Sequence, residues 1–171
     1  MKLVRFTENQ QIHFLKAVNE LVAKRKCNKK IKFIVLGTLK ANPLYKVLIK
    51  KILGKKDYGY EFHKYLTKNK LQDYVDILPM LYLDKFYSLL NEIDIYIRPS
   101  LAGDPWGRDI IEAMAFGKPV IATGESEFYI QNNKSGFLVS PGNPHEMADK
   151  IYKLISNEKL RKKMEIRGMR L

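Results

Sequence analysis

Cysteine is nearly missing from this sequence. Cys27 is the only one in 171 residues, so no disulfide can close within the chain and no thiolate cluster can hold a metal. Histidine is sparse as well: His13, His63 and His145 are scattered without the spacing of a metal site. No apolar run approaches the roughly 18 residues of a membrane span, and the opening Met1-Lys2-Leu3-Val4-Arg5-Phe6 has no apolar core long enough for a secretion signal. These absences predict a reducing, cytoplasmic setting, with the chain either free or peripheral on the inner membrane face. Ser100 is not in the G-x-S-x-G setting of a hydrolase nucleophile, and no internal repeat or low-complexity tract appears.

Positive charge is abundant and unevenly spread. The formal net charge is +13, and residues 1–70 hold 18 Lys and Arg against 4 acids, whereas residues 71–171 hold 13 against 14. Lys24-Arg25-Lys26, Lys29-Lys30, Lys50-Lys51 and Lys55-Lys56 flank apolar stretches such as Leu44 to Leu53, which reads as an amphipathic basic helix. Such a helix can lie on an anionic membrane surface, close to lipid-linked acceptors, or it can be a solvated lysine-rich face. Tyr58, Tyr60 and Tyr65 stand near the lysines, so a basic nucleic-acid-binding domain is the remoter alternative. No nucleic-acid module is recognisable, and that reading leaves the strongest motif of the chain unexplained.

With 46% hydrophobic and 29% charged residues, the chain can bury one sizeable core, and a single domain over 1–171 is expected. Strands are predicted at Lys2 to Arg5, Ile31 to Leu36, Val75 to Leu78, Ile93 to Ile97, Pro119 to Thr123 and Gly136 to Val139, several of them continuously apolar as buried parallel strands are. Between them, Gln10 to Lys26 carries a helical stripe of Phe14, Leu15, Val18, Leu21 and Val22, and further helices are predicted over Phe86 to Asn91 and Gly107 to Phe116. Asn143-Pro144-His145-Glu146 supplies a cap residue, a proline at the first helical position and an acid at the third, which starts a last helix. Repeated β-α-β order predicts an α/β fold with a doubly wound, mostly parallel, Rossmann-like sheet and a ligand crevice at the carboxyl ends of its strands.

The strongest motif runs from Arg98 to Val120, RPSLAGDPWGRDIIEAMAFGKPV. It sets Asp104 and Glu112 in an Asp-x7-Glu pattern across a glycine-containing loop and a helix start, where backbone N–H groups and the helix N-terminus face any anion held there. The helix around Glu112 (Ile110, Ile111, Ala113, Met114, Ala115, Phe116) is apolar on nearly every side, so the carboxylate is expected to be buried and to need a partner. That partner is either a ligand hydroxyl or Arg108, four residues earlier on the helix. Two acids could also suggest glycoside hydrolysis, but no second distant acid sits in a similar loop.

Together with the later SGFLVSPGNP, this stretch resembles the donor-binding C-terminal lobe of the retaining glycosyltransferases of GT-B architecture, specifically glycosyltransferase family 4 (glycosyl transferases group 1). The resemblance covers almost the whole chain. It implies a UDP-, GDP- or ADP-linked sugar as donor, transfer with retention, no prosthetic group and no metal ion. In that family a Glu-x7-Glu motif falls here, which makes Asp104 the catalytic candidate beside the transferred sugar and Glu112 the binder of ribose hydroxyls. Arg5 matches the family's diphosphate-binding arginine, and the loop of Pro105, Trp106 and Gly107 would add backbone amides. Gly37 matches the glycine that ends the second strand near the donor, or is a plain strand-to-loop turn. Pro79 and Met80 fall in the loop beside the base, where Leu81 reads as ordinary apolar packing.

Three departures from the family pattern stand out. Asp104 is one methylene shorter than the family's first glutamate. The family's lysine falls on Gln10, with its flanking glycines on Val4 and Gln11. Between Thr123 and Ser135 only Gly124 offers the backbone freedom of the family's paired glycines, and Glu125 and Glu127 read as surface acids near a short helix. The acceptor lobe of a GT-B enzyme normally precedes this one and is expected to come from elsewhere, in cis or in trans. Alone, the chain is expected to bind nucleotide and to transfer sugar poorly or not at all. A non-catalytic nucleotide-binding lobe, or a partner subunit of a split enzyme, is the alternative.

Overall fold

The computed structural model describes residues 2–5, 11–24, 31–37, 42–105 and 107–169. Six short strands, β1 (Lys2–Arg5), β2 (Lys32–Leu36), β3 (Val75–Leu78), β4 (Ile95–Arg98), β5 (Val120–Thr123) and β6 (Gly136–Val139), form one sheet in the order β3-β2-β1-β4-β5-β6. Every neighbouring pair is parallel. The order turns back between β1 and β4, and in sheets of this kind ligands bind outside the carboxyl ends of the strands at that point.

Side chains alternate across the sheet, and both faces are covered. On one face Phe33, Val35, Ile95, Ile97, Ile121, Phe137 and Val139 pack with α1 (Gln11–Lys24), α3 (Tyr58–Lys68), α6 (Pro144–Ser156) and Met164 of α7 (Glu158–Gly168). On the other, Ile34, Leu36, Tyr96, Val120, Ala122 and Leu138 meet α4 (Leu83–Glu92) and α5 (Arg108–Ala115). Burial on both sides is why these strands read as unbroken apolar runs.

Local signals set most element ends. Asn143 accepts from the Glu146 N–H at 3.1 Å and starts α6 with Pro144 in its first turn, as its sequence predicts. Helix α5 stops at Gly117, whose φ of 69° suits glycine; the Gly117 N–H reaches the Met114 carbonyl and the Lys118 N–H that of Ala113.

Several expectations are corrected. Ile93 is not in β4 but caps α4, with its N–H on the Leu89 carbonyl at 3.1 Å, and α4 begins three residues before Phe86. Helix α3 carries no predicted counterpart; Asp57 starts it by accepting the Tyr60 N–H at 2.9 Å. Helix α7 also went unpredicted, because only Met164 and Gly168 along it are buried and no apolar stripe marks it. Residues 124–131 contain no helix, so Glu125 and Glu127 lie in irregular chain. Among the described residues no helix is long and apolar enough to cross a membrane.

Candidate functional site

Strand β4 and helix α5 are locked together at the carboxyl edge of the sheet. Tyr96 and Arg98, two residues apart on β4, point to the same side of the sheet. The buried Tyr96 hydroxyl donates to Asp109 Oδ2 at 2.5 Å, and the Arg98 guanidinium donates to Asp109 Oδ1. An acid in the first turn of α5 is also favoured by the partial positive charge of the helix N-terminus. Gly107 makes the arrangement feasible: a Cβ there would collide with the Arg98 guanidinium and the Asp109 carboxylate.

One turn further along α5, Glu112 accepts from Arg108 Nε at 2.7 Å and from the Tyr87 hydroxyl at 3.0 Å, both at Oε1. Among the described residues no hydrogen bond reaches Oε2. The i, i+4 pair with Arg108 is therefore formed, and Glu112 holds the Arg108 pKa above its ordinary value, with Tyr87 adding to the effect. The helix is less apolar in its surroundings than its sequence predicts. Ile110, Ala113 and Met114 are buried, whereas Ile111 and Ala115 face outward and Glu112 is only half-buried, its side chain 19% exposed.

Glu112 opens onto a cleft of about 400 Å³ beside the carboxyl ends of β3 and β4. Leu81, Tyr82, Leu83, Phe86 and Tyr87 form an apolar and aromatic wall, and Arg98, Arg108, Asp109 and Glu112 form a charged one. The Tyr87 ring stacks on Phe116 at 5.5 Å between centroids, which fixes the hydroxyl that Glu112 accepts from. The chemistry on offer is a flat apolar slot next to a hydroxyl-binding carboxylate and two guanidinium groups, the pattern of a small polar ligand with a planar end.

The other predicted residues are placed around this cleft. Pro105 is buried: the Gly103-Asp104-Pro105 loop lies so close over Gly124, at the end of β5, that a Cβ on Gly124 would meet the Gly103 carbonyl and the Pro105 ring. Thr123 Oγ1 donates to the Ser100 carbonyl at 2.5 Å and ties the start of the same loop down. Asp104 is exposed in that loop and does not line the cleft with Glu112. Gly37 ends β2 at a φ of 125°, with its N–H on the Leu78 carbonyl at 3.0 Å. Pro79 and Met80 are exposed and stand outside the cleft wall, whereas Leu81, read from sequence as plain packing, is part of it. The Arg5 backbone closes β1, paired with Val35 and Ile97. Its side chain, Gln10 and Trp106 lie outside the described residues.

Tyr82, Leu83, Phe86, Tyr87, Arg98 and Asp109 are the cleft residues that sequence reasoning missed. A signal existed for one of them: an arginine closing the apolar strand Ile95-Tyr96-Ile97-Arg98 is out of keeping with a buried strand unless it has an acid to meet. Among the described residues no group of three or more His, Cys, Asp and Glu side chains comes together as a metal site would need.

The family described as glycosyl transferases group 1 matches residues 4–170. An uncharacterized glycosyltransferase of Methanocaldococcus jannaschii is 31% identical over 121 residues, 69% of this chain and 34% of that protein. A phosphatidyl-myo-inositol mannosyltransferase of Mycobacterium leprae is 31% identical over 81 residues, 46% of this chain and 22% of its own length. Thus the chain spans about a third or less of these curated relatives. Among solved structures, Anabaena HepE in complex with UDP and glucose superposes with a TM-score of 0.77 at 23% identity, over 99% of this chain and 42% of that one. The C-terminal domain of a glycosyl transferase group 1 family protein from Francisella tularensis gives 0.72 at 24% identity, over 99% of this chain and 81% of that domain. These two likenesses carry the fold: a Rossmann-like lobe of GT-B type.

Proposed function

The chain belongs to the group 1 glycosyltransferases, and from that premise we propose that it is the donor-binding lobe of a retaining, metal-independent enzyme taking a nucleotide-diphosphate sugar. The observation that carries this reading is the cleft in which Glu112 offers a carboxylate oxygen beside an apolar and aromatic slot. In this reading Glu112 Oε2 accepts from ribose hydroxyls, and the base rests against Leu81, Tyr82 and Leu83, with Pro79 and Met80 at the margin. The Arg108 side chain, 77% exposed, is free enough to turn from Glu112 toward a phosphate. That HepE was crystallised with UDP supports a nucleoside diphosphate as the group held.

The diphosphate would sit at the start of α5, where the amides of Trp106 and Gly107 and the charge of Arg5 meet it. Gly37 and Pro105 would shape the backbone around it. Positive charge fixed there stabilises the leaving group as negative charge develops on it, the part a divalent ion plays elsewhere. Asp104, in the loop above, would lie against the transferred sugar. A lipid-linked acceptor is in keeping with the Mycobacterium leprae relative, by name a phosphatidyl-myo-inositol mannosyltransferase. The acceptor lobe would be supplied in cis or in trans, so this chain alone binds donor and turns over poorly. Gln10, at the position of the family's lysine, favours a second reading, a nucleotide-binding lobe without its own catalysis.

Calorimetric titration with UDP, GDP and ADP tests the proposal. One of the three is expected to bind, and Glu112→Ala to weaken it by about tenfold or more, since a hydrogen bond to a charged group contributes about 1.5–3 kcal/mol. No binding of any of them, or no effect of Glu112→Ala, contradicts it.

A further inference from the structure

Helix α2 (Leu44–Ile52) is set on the molecule with its apolar side outward. At 3.6 residues per turn, Leu44, Tyr45, Leu48, Ile49 and Ile52 share an arc of roughly 140°. All five are exposed, between 52% and 80%. The opposite side carries Val47 and Lys50, the half-buried residues of that arc. Lys50 Nζ binds the buried Asp57 carboxylate at 2.8 Å, and Asn42 Nδ2 donates to the same Oδ2 at 2.7 Å. A lysine thus faces the protein while five large apolar side chains face water, the reverse of a helix that covers a core.

Charge frames the apolar ridge. Residues 43–56 contain five lysines and no acid. Lys46 and Lys51 stand at the two borders of the arc, and both are exposed. Between α2 and α3 runs a groove of about 400 Å³ lined by Lys51, Lys55, Lys56 and Lys64; Leu44 and Leu48 from the ridge also border it. Its two acids are Asp57, already held by Lys50, and Glu61. Tyr45 and Tyr58, both exposed, add the amphipathic rings that favour a membrane interface.

We propose that α2 docks this protein on an anionic phospholipid surface, its ridge of Leu44, Tyr45, Leu48, Ile49 and Ile52 entering the acyl boundary and the lysines of the α2–α3 groove meeting lipid phosphates. Charge complementarity selects this occupant. A second copy would need roughly 800 Å² on each partner for a stable interface, far more than a helix about 14 Å long offers, and it would bring like charges together. A bilayer has no such minimum area. The proposal does not rest on the donor reading, because vesicle binding and nucleotide binding are measured separately.

Co-sedimentation with vesicles of phosphatidylcholine alone, and of phosphatidylcholine with phosphatidylglycerol, tests it. Binding is expected to be about tenfold or more stronger to the anionic vesicles and to fall with added salt. The double variant Ile49→Glu/Ile52→Glu and the double variant Lys51→Glu/Lys55→Glu should each lower it by a similar factor while leaving circular dichroism and nucleotide binding unchanged. Equal affinity for both vesicles, or retention of binding by the Ile49→Glu/Ile52→Glu variant, overturns the proposal. So does self-association in sedimentation velocity that this variant abolishes without any vesicle binding, and so does a preference for single-stranded oligonucleotides over vesicles.

Discussion

Helices α2 and α5 have nearly the same length, nine and eight residues, and both separate apolar from charged side chains, yet they sit on the molecule in opposite senses. Helix α5 turns Ile110, Ala113 and Met114 into the core and leaves Arg108, Asp109 and Glu112 along the cleft. Helix α2 turns Lys50 inward onto Asp57 and leaves its apolar ridge in water. What distinguishes them is the neighbour that each polar group finds. Tyr96 and Arg98 of β4 draw Asp109 to the sheet edge and bring the apolar side of α5 down with it. Asp57 draws Lys50, and the apolar side of α2 is turned away. An amphipathic pattern fixes which residues share a face, and the buried polar partner decides where that face points.

Substitutions at four positions test the contrast. The largest effect is expected at the core side of α5. Ile110→Ala should cost about 2–5 kcal/mol in a denaturant titration, because the surrounding core relaxes only in part around the cavity. If it costs no more than an exposed substitution, α5 is not seated as described. Next comes Asp109→Ala, which leaves the Tyr96 hydroxyl and the Arg98 guanidinium without their carboxylate. A loss of about 1–3 kcal/mol is expected, together with weaker nucleotide binding as the cleft wall loosens.

Asp57→Ala removes the cap of α3 and the tether of α2 at once and should cost about 1–2 kcal/mol. The same residue predicts a pH dependence. Hydrogen bonds from Lys50, the Tyr60 N–H and Asn42 outweigh burial and hold the Asp57 pKa at about 2, down from 3.8. A depressed carboxylate pKa means that the unfolded chain takes up the proton more readily. The stability Asp57 contributes is therefore complete above the ordinary value of 3.8 and is lost as the pH falls toward about 2. Asp57→Asn should flatten the acid limb of a stability profile over that window. The smallest effect belongs to Leu48→Ala on the ridge of α2, expected within about 0.5 kcal/mol of wild type by thermal or chemical unfolding. A cost like that of Ile110→Ala would mean that α2 is buried against something in solution.

Much of the fold could be read from residues alone. Strands such as Phe33-Ile34-Val35-Leu36 and Val120-Ile121-Ala122-Thr123 are buried on both faces, and unbroken apolar runs signal that state directly. Asn143-Pro144 and Gly117 mark helix ends because capping is a local matter, settled within a few residues. Helix α7 escaped because it covers little: Met164 and Gly168 are its buried residues, Gly168 resting on Met114 of α5, and all the others but Leu160 and Ile166 carry charge. The cleft was legible in half. Glu112 stood out as an acid on an apolar helix, but Tyr87 reaches it from 25 positions away and Arg98 meets Asp109 across the loop that joins β4 to α5. Such contacts come from the winding of the sheet, and no local pattern encodes them. The direction in which α2 faces was hidden for the same reason, since it depends on which lysine Asp57 takes.

A crystal structure of the chain soaked with a mixture of UDP, GDP and ADP puts the central claim to the most direct test. The account predicts one nucleotide in the cleft, its ribose hydroxyls within hydrogen-bond distance of Glu112 and its base against Leu81, Tyr82 and Leu83. A nucleotide bound elsewhere, with Glu112 still held only by Arg108 and Tyr87, would contradict it.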